Sequence, residues 1–280
     1  MRVESPKRRA GRYRYLLGDS RREARRLREQ ARLWDPTAHA LFDRLGVERG
    51  WRVLEVGPGQ GSLHLELRRR VRGPIDAVER SPAFANRLSR LCRRDGFGDG
   101  RIWTCDLLDA DLPREEYDLV FARWVFLFLP DPVAHLRKLA RALRPGGYLA
   151  IEDYHRETLG LLPRPDDWDD FLAADRAFFA SQGGDASIGG KLARLYRRVG
   201  LEVVEAEATV KVGGPGSAVW SWVSTYFMGV MDRLAEHAPF SRPAAARLRR
   251  AWRAAARKPG SLLIAPAVLD VVGRKPGVRR

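Results

Sequence analysis

Short apolar runs alternate with amphipathic segments between residues 52 and 152. The apolar runs have the length of buried strands and predict strands at 52–56, 75–79, 101–105, 117–121 and 147–152. The amphipathic segments predict helices at about 61–71, 82–93 and 132–143. Alternation of this kind predicts a parallel sheet with helices on both faces and right-handed crossovers.

Capping signals predict two helices ahead of the first strand. Ser20-Arg21-Arg22-Glu23 has the form of a capping box and predicts a helix through Arg32. Asp35-Pro36 pairs a capping side chain with a proline suited to the first helical position, which predicts a second helix to about Leu45.

The regular alternation of apolar and amphipathic segments ends after residue 155. The pattern there predicts helices at 167–181 and 189–199, a strand at 202–212, an apolar and aromatic stretch at 217–235, a basic helix at 242–257 and a last strand at about 262–273. Late strands separated by helices suit an antiparallel pair at one sheet edge. We therefore predict an α/β fold with a doubly wound, mostly parallel sheet, an antiparallel edge strand and helical cap additions.

The charge is strongly positive, at +16, but it is unevenly distributed. Residues 1–33 hold 12 Lys and Arg against 4 Asp and Glu, and residues 242–280 hold 11 against 1, so the stretch between them is close to neutral. This distribution favours solvated helix faces and tails over a long phosphate-binding groove, although an anionic partner at the ends stays open.

The remaining composition favours a protein of the reducing cytoplasm. Cys92 and Cys105 form no disulfide framework, and no Cys/His cluster has metal-ligand spacing. The longest apolar run, Trp124 to Leu129, is far too short to span a bilayer. The basic N-terminus has no apolar segment behind it, so we expect no secretory signal.

A glycine-rich turn follows the first predicted strand, in Glu55-Val56-Gly57-Pro58-Gly59-Gln60-Gly61. Glycine permits positive φ in a sharp turn and lets backbone N–H groups approach a ligand closely. The crevice at the carboxyl ends of such strands is where doubly wound sheets bind ligands. Such a turn can also merely connect a strand to a helix, so it needs further support.

The next two strands end in polar side chains. Glu79 ends the second strand, 22 residues after Gly57, and a carboxylate there can accept two hydrogen bonds from the vicinal hydroxyls of a ribose. The third strand ends in Asp106 beside Leu107, a pair suited to the amino edge and the face of an adenine. A dinucleotide site is disfavoured because the third glycine comes one residue early and Ser62 occupies its place.

From about Trp51 to Asp153 the chain resembles the class I S-adenosylmethionine-dependent methyltransferases. The resemblance rests on these motifs in order: Glu55-Val-Gly-Pro-Gly-Gln-Gly61, Val78-Glu-Arg-Ser-Pro82, Cys105-Asp106, Phe121-Ala-Arg-Trp124, Leu129-Pro-Asp-Pro132 and Leu143-Arg-Pro-Gly-Gly-Tyr-Leu149. It implies a Rossmann-like fold and S-adenosyl-L-methionine as the cofactor. It also implies a division into an N-terminal helical lid (1–45), a cofactor-binding core (46–155) and cap segments with the final strands (156–280). Tyr15-Leu16-Leu17 resembles part of the lid helix of bacterial small-molecule members.

The resemblance also implies roles for the motif residues. The turn from Glu55 through Gly57, Pro58, Gly59 and Gly61 would pass under the amino-acid portion of the cofactor. Glu79 would hold the ribose, Arg80 and Leu107 would flank the adenine, and Asp106 would accept from its amino group. The backbone at Ala122 and Arg123, followed by Trp124, would face the methionyl ammonium.

The residues that would bind or activate the methyl acceptor are less clearly indicated. Asp153, Tyr154 and His155 follow the fifth strand and are candidate general bases, although such clusters are also common on loop surfaces. Phe128 stands where many relatives have a histidine and cannot act as a base. The aromatic and Met side chains of Trp220 to Met231 fit either core or pocket, and Trp124 and Trp168 are further candidates for the pocket.

We therefore expect an enzyme that methylates a small, hydrophobic or aromatic molecule. The alternatives are an RNA or protein methyltransferase that uses the basic termini, and a catalytically silent member of the fold. The acceptor, its attacking atom, any use of a general base and the oligomeric state stay open.

Overall fold

The structure is a computed structural model of the chain, and it describes residues 21–277. The helices are α1 (Arg21–Arg44), α2 (Ser62–Val71), α3 (Pro82–Asp95), α4 (Pro132–Ala142), α5 (Trp168–Ser181), α6 (Leu192–Arg198), α7 (Ala218–Leu234) and α8 (Arg242–Ala255). The strands are β1 (Val53–Val56), β2 (Asp76–Val78), β3 (Ile102–Trp103), β4 (Tyr117–Arg123), β5 (Leu143–His155), β6 (Gly160–Leu162), β7 (Glu202–Thr209), β8 (Val212–Gly213), β9 (Leu262–Ile264) and β10 (Ala267–Arg274).

The main sheet has seven strands in the order β3-β2-β1-β4-β5-β10-β7. The strands from β3 to β5 pair in parallel, and β10 pairs antiparallel with both β5 and β7. The predicted mostly parallel sheet with an antiparallel edge is therefore confirmed. This strand order reverses between β1 and β4, and a crevice opens there at the carboxyl ends of the strands.

Helices cover both faces of the sheet. On one face, α1 and α2 pack on apolar strand residues such as Leu119 and Phe121. On the other, the alternate strand residues, such as Val120 and Ile151, belong to a larger cluster with α4, α5, α6, α7 and α8. This alternation follows from the two-residue period of strand side chains and explains why both faces are apolar.

The prediction of two helices before β1 is wrong, because α1 runs without a break through Pro36. A proline inside a helix removes one backbone hydrogen bond and crowds the preceding turn. Here Trp34, Ala38 and Leu41 are fully buried on both sides of the proline, so burial of one continuous apolar stripe outweighs that cost. The Thr37 hydroxyl also donates to the Trp34 carbonyl, at 2.6 Å.

The two late strands are each shorter than predicted. The segment 202–212 divides into β7 and β8, and 262–273 divides into β9 and β10 around Ala265-Pro266. Pro266 has no N–H to donate, so the ladder breaks there. The detached pieces join β6, which the sequence does not predict, in a second sheet of order β6-β9-β8.

Of the predicted lid (1–45), the segment with Tyr15-Leu16-Leu17 lies outside the described residues. Among residues 21–277, none of the helices combines the length and the apolar content that a membrane crossing requires.

Candidate functional site

The glycine turn has the backbone conformation that its composition predicts. Gly57, Gly59 and Gly61 have φ of 68°, 52° and 84°, which residues with a Cβ rarely adopt. A Cβ on Gly57 would lie 2.6 Å from Cγ2 of Val125, whereas a Cβ on Gly59 would meet only the Gly57 carbonyl oxygen, at 4.0 Å. Glycine is therefore required at Gly57 by the protein itself, and at Gly59 it leaves open space.

Glu79 ties the turn to the end of β2. Its carboxylate is buried and accepts from the backbone N–H of Gly59 at 3.2 Å and from that of Ser81 at 2.8 Å. Burial raises the pKa of Glu79, and these two hydrogen bonds act in the opposite direction. Each carboxylate oxygen can accept a second hydrogen bond, so the group can still bind hydroxyls.

Glu55 lies buried under the same turn. The Nδ1 atom of His64, on α2, lies 3.0 Å from its Oε2. His64 is also fully buried, so this pair joins the end of β1 to the helix that follows the turn. The turn is thereby held from below by a polar contact that the sequence motif does not reveal.

Asp106 follows β3 at the same edge and is held by a histidine from α4. Nε2 of His135 lies 3.8 Å from Oδ1 of Asp106, and the Leu108 N–H donates to that same oxygen at 3.0 Å. His135 lowers the pKa of Asp106 to about 2. Asp106 is therefore an ionised acceptor at neutral pH.

These groups line one end of a cavity of about 1090 Å³. We call it the turn end and define it by Glu55, Gly57, Pro58, Gly59, Glu79, Arg80, Asp106 and Leu107. The other end, the aromatic end, is defined by Tyr154, Arg156, Phe178, Phe179, Trp222, Tyr226 and Phe227. A cavity of this size exceeds what one small ligand needs and can hold two molecules side by side.

Trp124 lies in the cavity wall immediately after β4. It has φ of 54°, an uncommon conformation for a bulky residue, and such conformations cluster at functional sites. Its ring stacks on Tyr154, with centroids 5.4 Å apart, and the Arg123 guanidinium lies 4.5 Å from its centroid. Arg123 also binds Asp35 of α1 at 2.5 Å, so the strand end is fastened to α1.

The aromatic end surrounds a buried arginine. Arg156 donates from Nε and Nη2 to the two carboxylate oxygens of Asp175, on α5, at 2.7 and 2.9 Å. Four aromatic rings lie within 5.8 Å of the guanidinium carbon; they belong to Tyr154, Phe179, Tyr226 and Phe227. Because α5 and α7 supply most of these groups, the late helices build this end.

Most of the residues singled out in the sequence line the cavity. Among the predicted catalytic and cofactor-binding residues, the exceptions are Gly61, Ala122, Asp153 and His155. Ala122 is fully buried within β4. Trp168 is also fully buried, and it packs on Phe171 and Trp252 away from the cavity, so its expected contribution to the pocket is wrong.

Asp153 supports the turn after β4 from inside the protein. Its carboxylate is fully buried and accepts from the N–H groups of Leu127 at 3.1 Å and Tyr154 at 2.8 Å. Burial raises the pKa of Asp153 to about 7. Of the three candidate bases, only Tyr154 reaches the cavity, and the role of a base stays a prediction for each.

Sequence reasoning missed Arg156, Phe178 and Phe179. The sequence offered one signal for Arg156, which is that it directly follows the polar cluster at the end of the fifth strand. The aromatic segment from Trp220 to Met231 serves as both core and pocket wall. Its side chains at Trp222, Val223, Tyr226, Phe227 and Val230 line the cavity at helical spacing.

Known proteins with similar sequences are methyltransferases. Residues 54–151 match the family model described as a methyltransferase domain. The chain is 34% identical over 129 residues to the methyltransferase GfsG of Streptomyces halstedii, which covers 42% of this chain and 46% of that protein. The 27-O-demethylrifamycin SV methyltransferase of Amycolatopsis mediterranei is 26% identical, with 75% of each chain covered.

The similarity also includes a protein methyltransferase. The alpha N-terminal protein methyltransferase 1 of Drosophila melanogaster is 29% identical over 105 residues, which cover 36% of this chain and 38% of that protein. The matches to GfsG and to this protein thus span less than half the length of either relative.

Solved structures share the fold. The geranyl diphosphate C-methyltransferase of Streptomyces coelicolor A3(2), solved with Mg²⁺, geranyl diphosphate and S-adenosyl-L-homocysteine, has a TM-score of 0.55 at 16% identity and covers 92% of this chain and 86% of its own. The sheet order, the glycine turn and the matched family model together show that residues 54–151 form a methyltransferase domain of the class I, S-adenosylmethionine-dependent type.

Proposed function

We propose that the protein transfers a methyl group from S-adenosylmethionine to a small, hydrophobic or aromatic molecule. The observation that carries this proposal is the single cavity in which the turn end continues into the aromatic end. A cofactor and an acceptor bound at the two ends would share one enclosed space, as a direct transfer requires.

The turn end fits the cofactor of the family. Gly59 leaves open space above the turn, the buried Glu79 keeps acceptor capacity for ribose hydroxyls, and Asp106 is an ionised acceptor for an exocyclic amine. Arg80 and Leu107 line the space between them and would flank the adenine. When bound, S-adenosylmethionine supplies a methyl group activated by a sulfonium, which a nucleophile of the acceptor displaces.

The protein's own contribution is alignment in a dry pocket. The stacked rings of Trp124 and Tyr154 line the cavity and would restrict how an acceptor approaches. Holding two reactants in line replaces a bimolecular encounter with a positioned one, which accounts for much of the rate enhancement available to such reactions. The apolar walls from α5 and α7 would exclude water from this contact.

The small-molecule acceptor is supported by the lining of the aromatic end. Its walls are mainly aromatic rings, which suit an apolar or planar ligand. The name of the 27-O-demethylrifamycin SV methyltransferase gives a small-molecule acceptor for one relative that covers three quarters of this chain.

RNA or protein acceptors are the alternative. The protein methyltransferase among the relatives favours it, as does the basic helix α8. Part of that basic charge is neutralised within the chain, because Arg247 pairs with Asp167 and Arg249 with Asp232. We therefore place this alternative second.

Transfer of a radiolabelled methyl group tests the proposal. Wild-type protein is incubated with labelled S-adenosylmethionine and, separately, with a library of aromatic small molecules, with total RNA and with a peptide library, and the release of S-adenosylhomocysteine is measured. We expect turnover in the small-molecule set and none in a Glu79→Ala variant. Label in RNA or peptide alone would favour the alternative, and cofactor binding without any turnover would indicate a catalytically silent member.

A further inference from the structure

Resting on the proposed function, we propose that the aromatic end binds its acceptor as an anion. The acceptor is a ring-bearing or otherwise apolar molecule with an acidic oxygen, either a carboxylate or an ionisable phenol or enol, and Arg156 binds that oxygen. This assigns Arg156 as a specificity-determining residue for the substrate class.

Arg156 has donors that its ion pair with Asp175 does not use. Asp175 occupies Nε and one N–H of Nη2, and no bond among the described residues uses Nη1. Arg156 lines the cavity, but Asp175 does not. A ligand in the cavity can therefore contact Arg156 but not its counter-ion, and the planar fork of a guanidinium is suited to an oxyanion.

The surrounding rings hold the guanidinium in place. The guanidinium carbon lies 4.9 Å from the ring centroid of Tyr226, 5.0 Å from that of Phe227 and 5.1 Å from that of Phe179. Rings arranged in this way bind cations through their negative faces. Here the protein's own arginine fills that cage, so an amine or quaternary ammonium acceptor would meet an occupied site and a like charge.

The acidic residues of the cavity lie at one of its two ends. Glu55, Glu79 and Asp106 belong to the turn end, together with one basic residue, Arg80. The aromatic end contains Arg156, and Arg233 lines the cavity beside it, with its guanidinium 5.9 Å from the Phe178 centroid. Among the described residues that line the aromatic end there is no Asp, Glu or His. An anion is therefore attracted to the aromatic end and repelled by the carboxylates of the turn end.

An anionic acceptor also removes the need for a general base. Of the candidate bases that the sequence suggested, Asp153 and His155 lie outside the cavity lining, and only Tyr154 lines it. A bound cation lowers the pKa of a neighbouring acidic oxygen. An acceptor with such an oxygen is therefore bound already ionised, and the protein has no proton to remove from that group.

Matched ligands test the charge preference directly. The probes are triplets on common aromatic skeletons, each an aryl carboxylate, its carboxamide and its aryl-methylammonium analogue. Their binding to wild-type protein saturated with S-adenosylhomocysteine is measured by calorimetry. We expect the carboxylates to bind at least about tenfold more tightly than the carboxamides, since a hydrogen bond to a charged group is stronger than one between neutral groups. We expect the ammonium compounds to bind least.

A pair of double variants locates the preference. Arg156→Gln with Asp175→Asn removes both charges together, which avoids leaving one buried charge unpaired. The matched control is Arg247→Gln with Asp167→Asn, because Arg247 binds Asp167 through the same two nitrogen atoms, at 3.0 and 2.6 Å, outside the cavity. We expect the carboxylate preference to disappear in the first and to persist in the second, with S-adenosylhomocysteine affinity unchanged in both.

Several results would overturn the inference. These are wild-type protein that prefers the carboxamides or ammonium compounds, triplets bound without preference, or a preference that survives in the Arg156 double variant. A loss of S-adenosylhomocysteine affinity in that variant would mean that Arg156 holds the cofactor and not the acceptor. Failure of wild-type protein to bind S-adenosylhomocysteine at all would instead contradict the proposed function. Cofactor binding is measured before the acceptor probes are added, so this failure can be distinguished from failure of the charge preference.

Discussion

The two ends of the cavity are built in different ways. The turn end consists mainly of backbone in unusual conformations and of carboxylates at the ends of neighbouring strands, all between Glu55 and Leu107. The aromatic end consists of side chains from the end of β5, the residue that follows it, α5 and α7, which lie between Tyr154 and Phe227. Local sequence therefore determines the first end, and long-range packing determines the second.

This difference separates the expected effects of substitution. Changes at the turn end should alter cofactor affinity and leave the choice of acceptor alone. Changes at the aromatic end should alter acceptor binding and leave cofactor affinity alone. A substitution at one end that altered binding at the other end would break this separation.

The largest expected effect is that of Gly59→Ala. The added methyl group meets no protein atom closer than 4.0 Å, so it should occupy only the space above the turn. We expect S-adenosylhomocysteine affinity to fall by more than about 100-fold, equivalent to about 3 kcal/mol, because the ligand can no longer approach the backbone. The stabilisation of the protein by S-adenosylhomocysteine in thermal unfolding measures this loss.

Gly200→Ala is the control for backbone strain. Gly200 has φ of 81°, is exposed, and a Cβ there would meet nothing within 4 Å. Both substitutions impose the strain of positive φ, but only Gly59 lines the cavity. Equal losses of cofactor affinity in the two variants would show that strain, and not exclusion from the turn end, causes the effect.

Glu79→Gln should have the next largest effect. The amide keeps one oxygen acceptor but replaces the other with a donor that faces the N–H of Gly59 or Ser81. We expect S-adenosylhomocysteine to bind about 10- to 100-fold more weakly, from the loss of hydrogen bonds to a charged group. Calorimetry measures the change, and Glu66→Gln on the outer side of α2 serves as the control, with no loss expected.

Most of the fold and the turn end could be predicted because their signals are local. The strand–turn–helix alternation, the three glycines and the carboxylate of Glu79 all appear in short windows of sequence. The prediction failed where tertiary burial overrode a local signal. Pro36 indicated a helix start, yet the buried side chains of Trp34 and Ala38 keep α1 continuous.

The aromatic end could be predicted only in part. The aromatic segment around Trp222 was visible, but helical spacing cannot distinguish a core face from a pocket wall, and α7 provides both. Arg156 carries no motif. Its burial beside Asp175 depends on α5, which lies 12 residues further along the chain. The two-residue period of a strand does indicate that Asp153 and Tyr154 point to opposite sides of β5, but nothing local indicates which of them faces the cavity.

A smaller effect is expected for Phe227→Leu, at the aromatic end. Phe227 is buried, lines the cavity and lies beside Arg156. Loss of the ring should weaken the binding of aryl carboxylates by about three- to tenfold, equivalent to about 0.5–1.5 kcal/mol of ring contact, with cofactor affinity unchanged. Phe240→Leu is the control, because Phe240 is as deeply buried but lies outside the cavity lining. A drop in cofactor affinity in Phe227→Leu, without a drop in Phe240→Leu, would show that the two ends do not bind their ligands independently.

The smallest effect on catalysis is expected for Asp153→Asn. Because Asp153 lies beneath the strand end, kcat should change by less than about tenfold, whereas removal of a general base costs about 100-fold or more. A loss of 100-fold or more in kcat with KM unchanged would assign Asp153 a catalytic role.

The same variant should change the pH dependence of stability. The pKa of Asp153 is raised in the folded protein to about 7, so the unfolded chain releases its proton first as pH rises. Wild-type protein should then lose stability between about pH 4 and pH 7, by on the order of 4 kcal/mol, relative to Asp153→Asn. Urea unfolding of both proteins across this range measures the difference, and parallel curves would contradict it.

Calorimetric titration of S-adenosylmethionine into the wild-type protein tests the central claim most directly. If the turn end is the cofactor site, one molecule should bind per chain with micromolar affinity, and binding should be lost in both Glu79→Ala and Gly59→Val. Folded wild-type protein that binds no S-adenosylmethionine, or binding that survives both substitutions, would contradict the account.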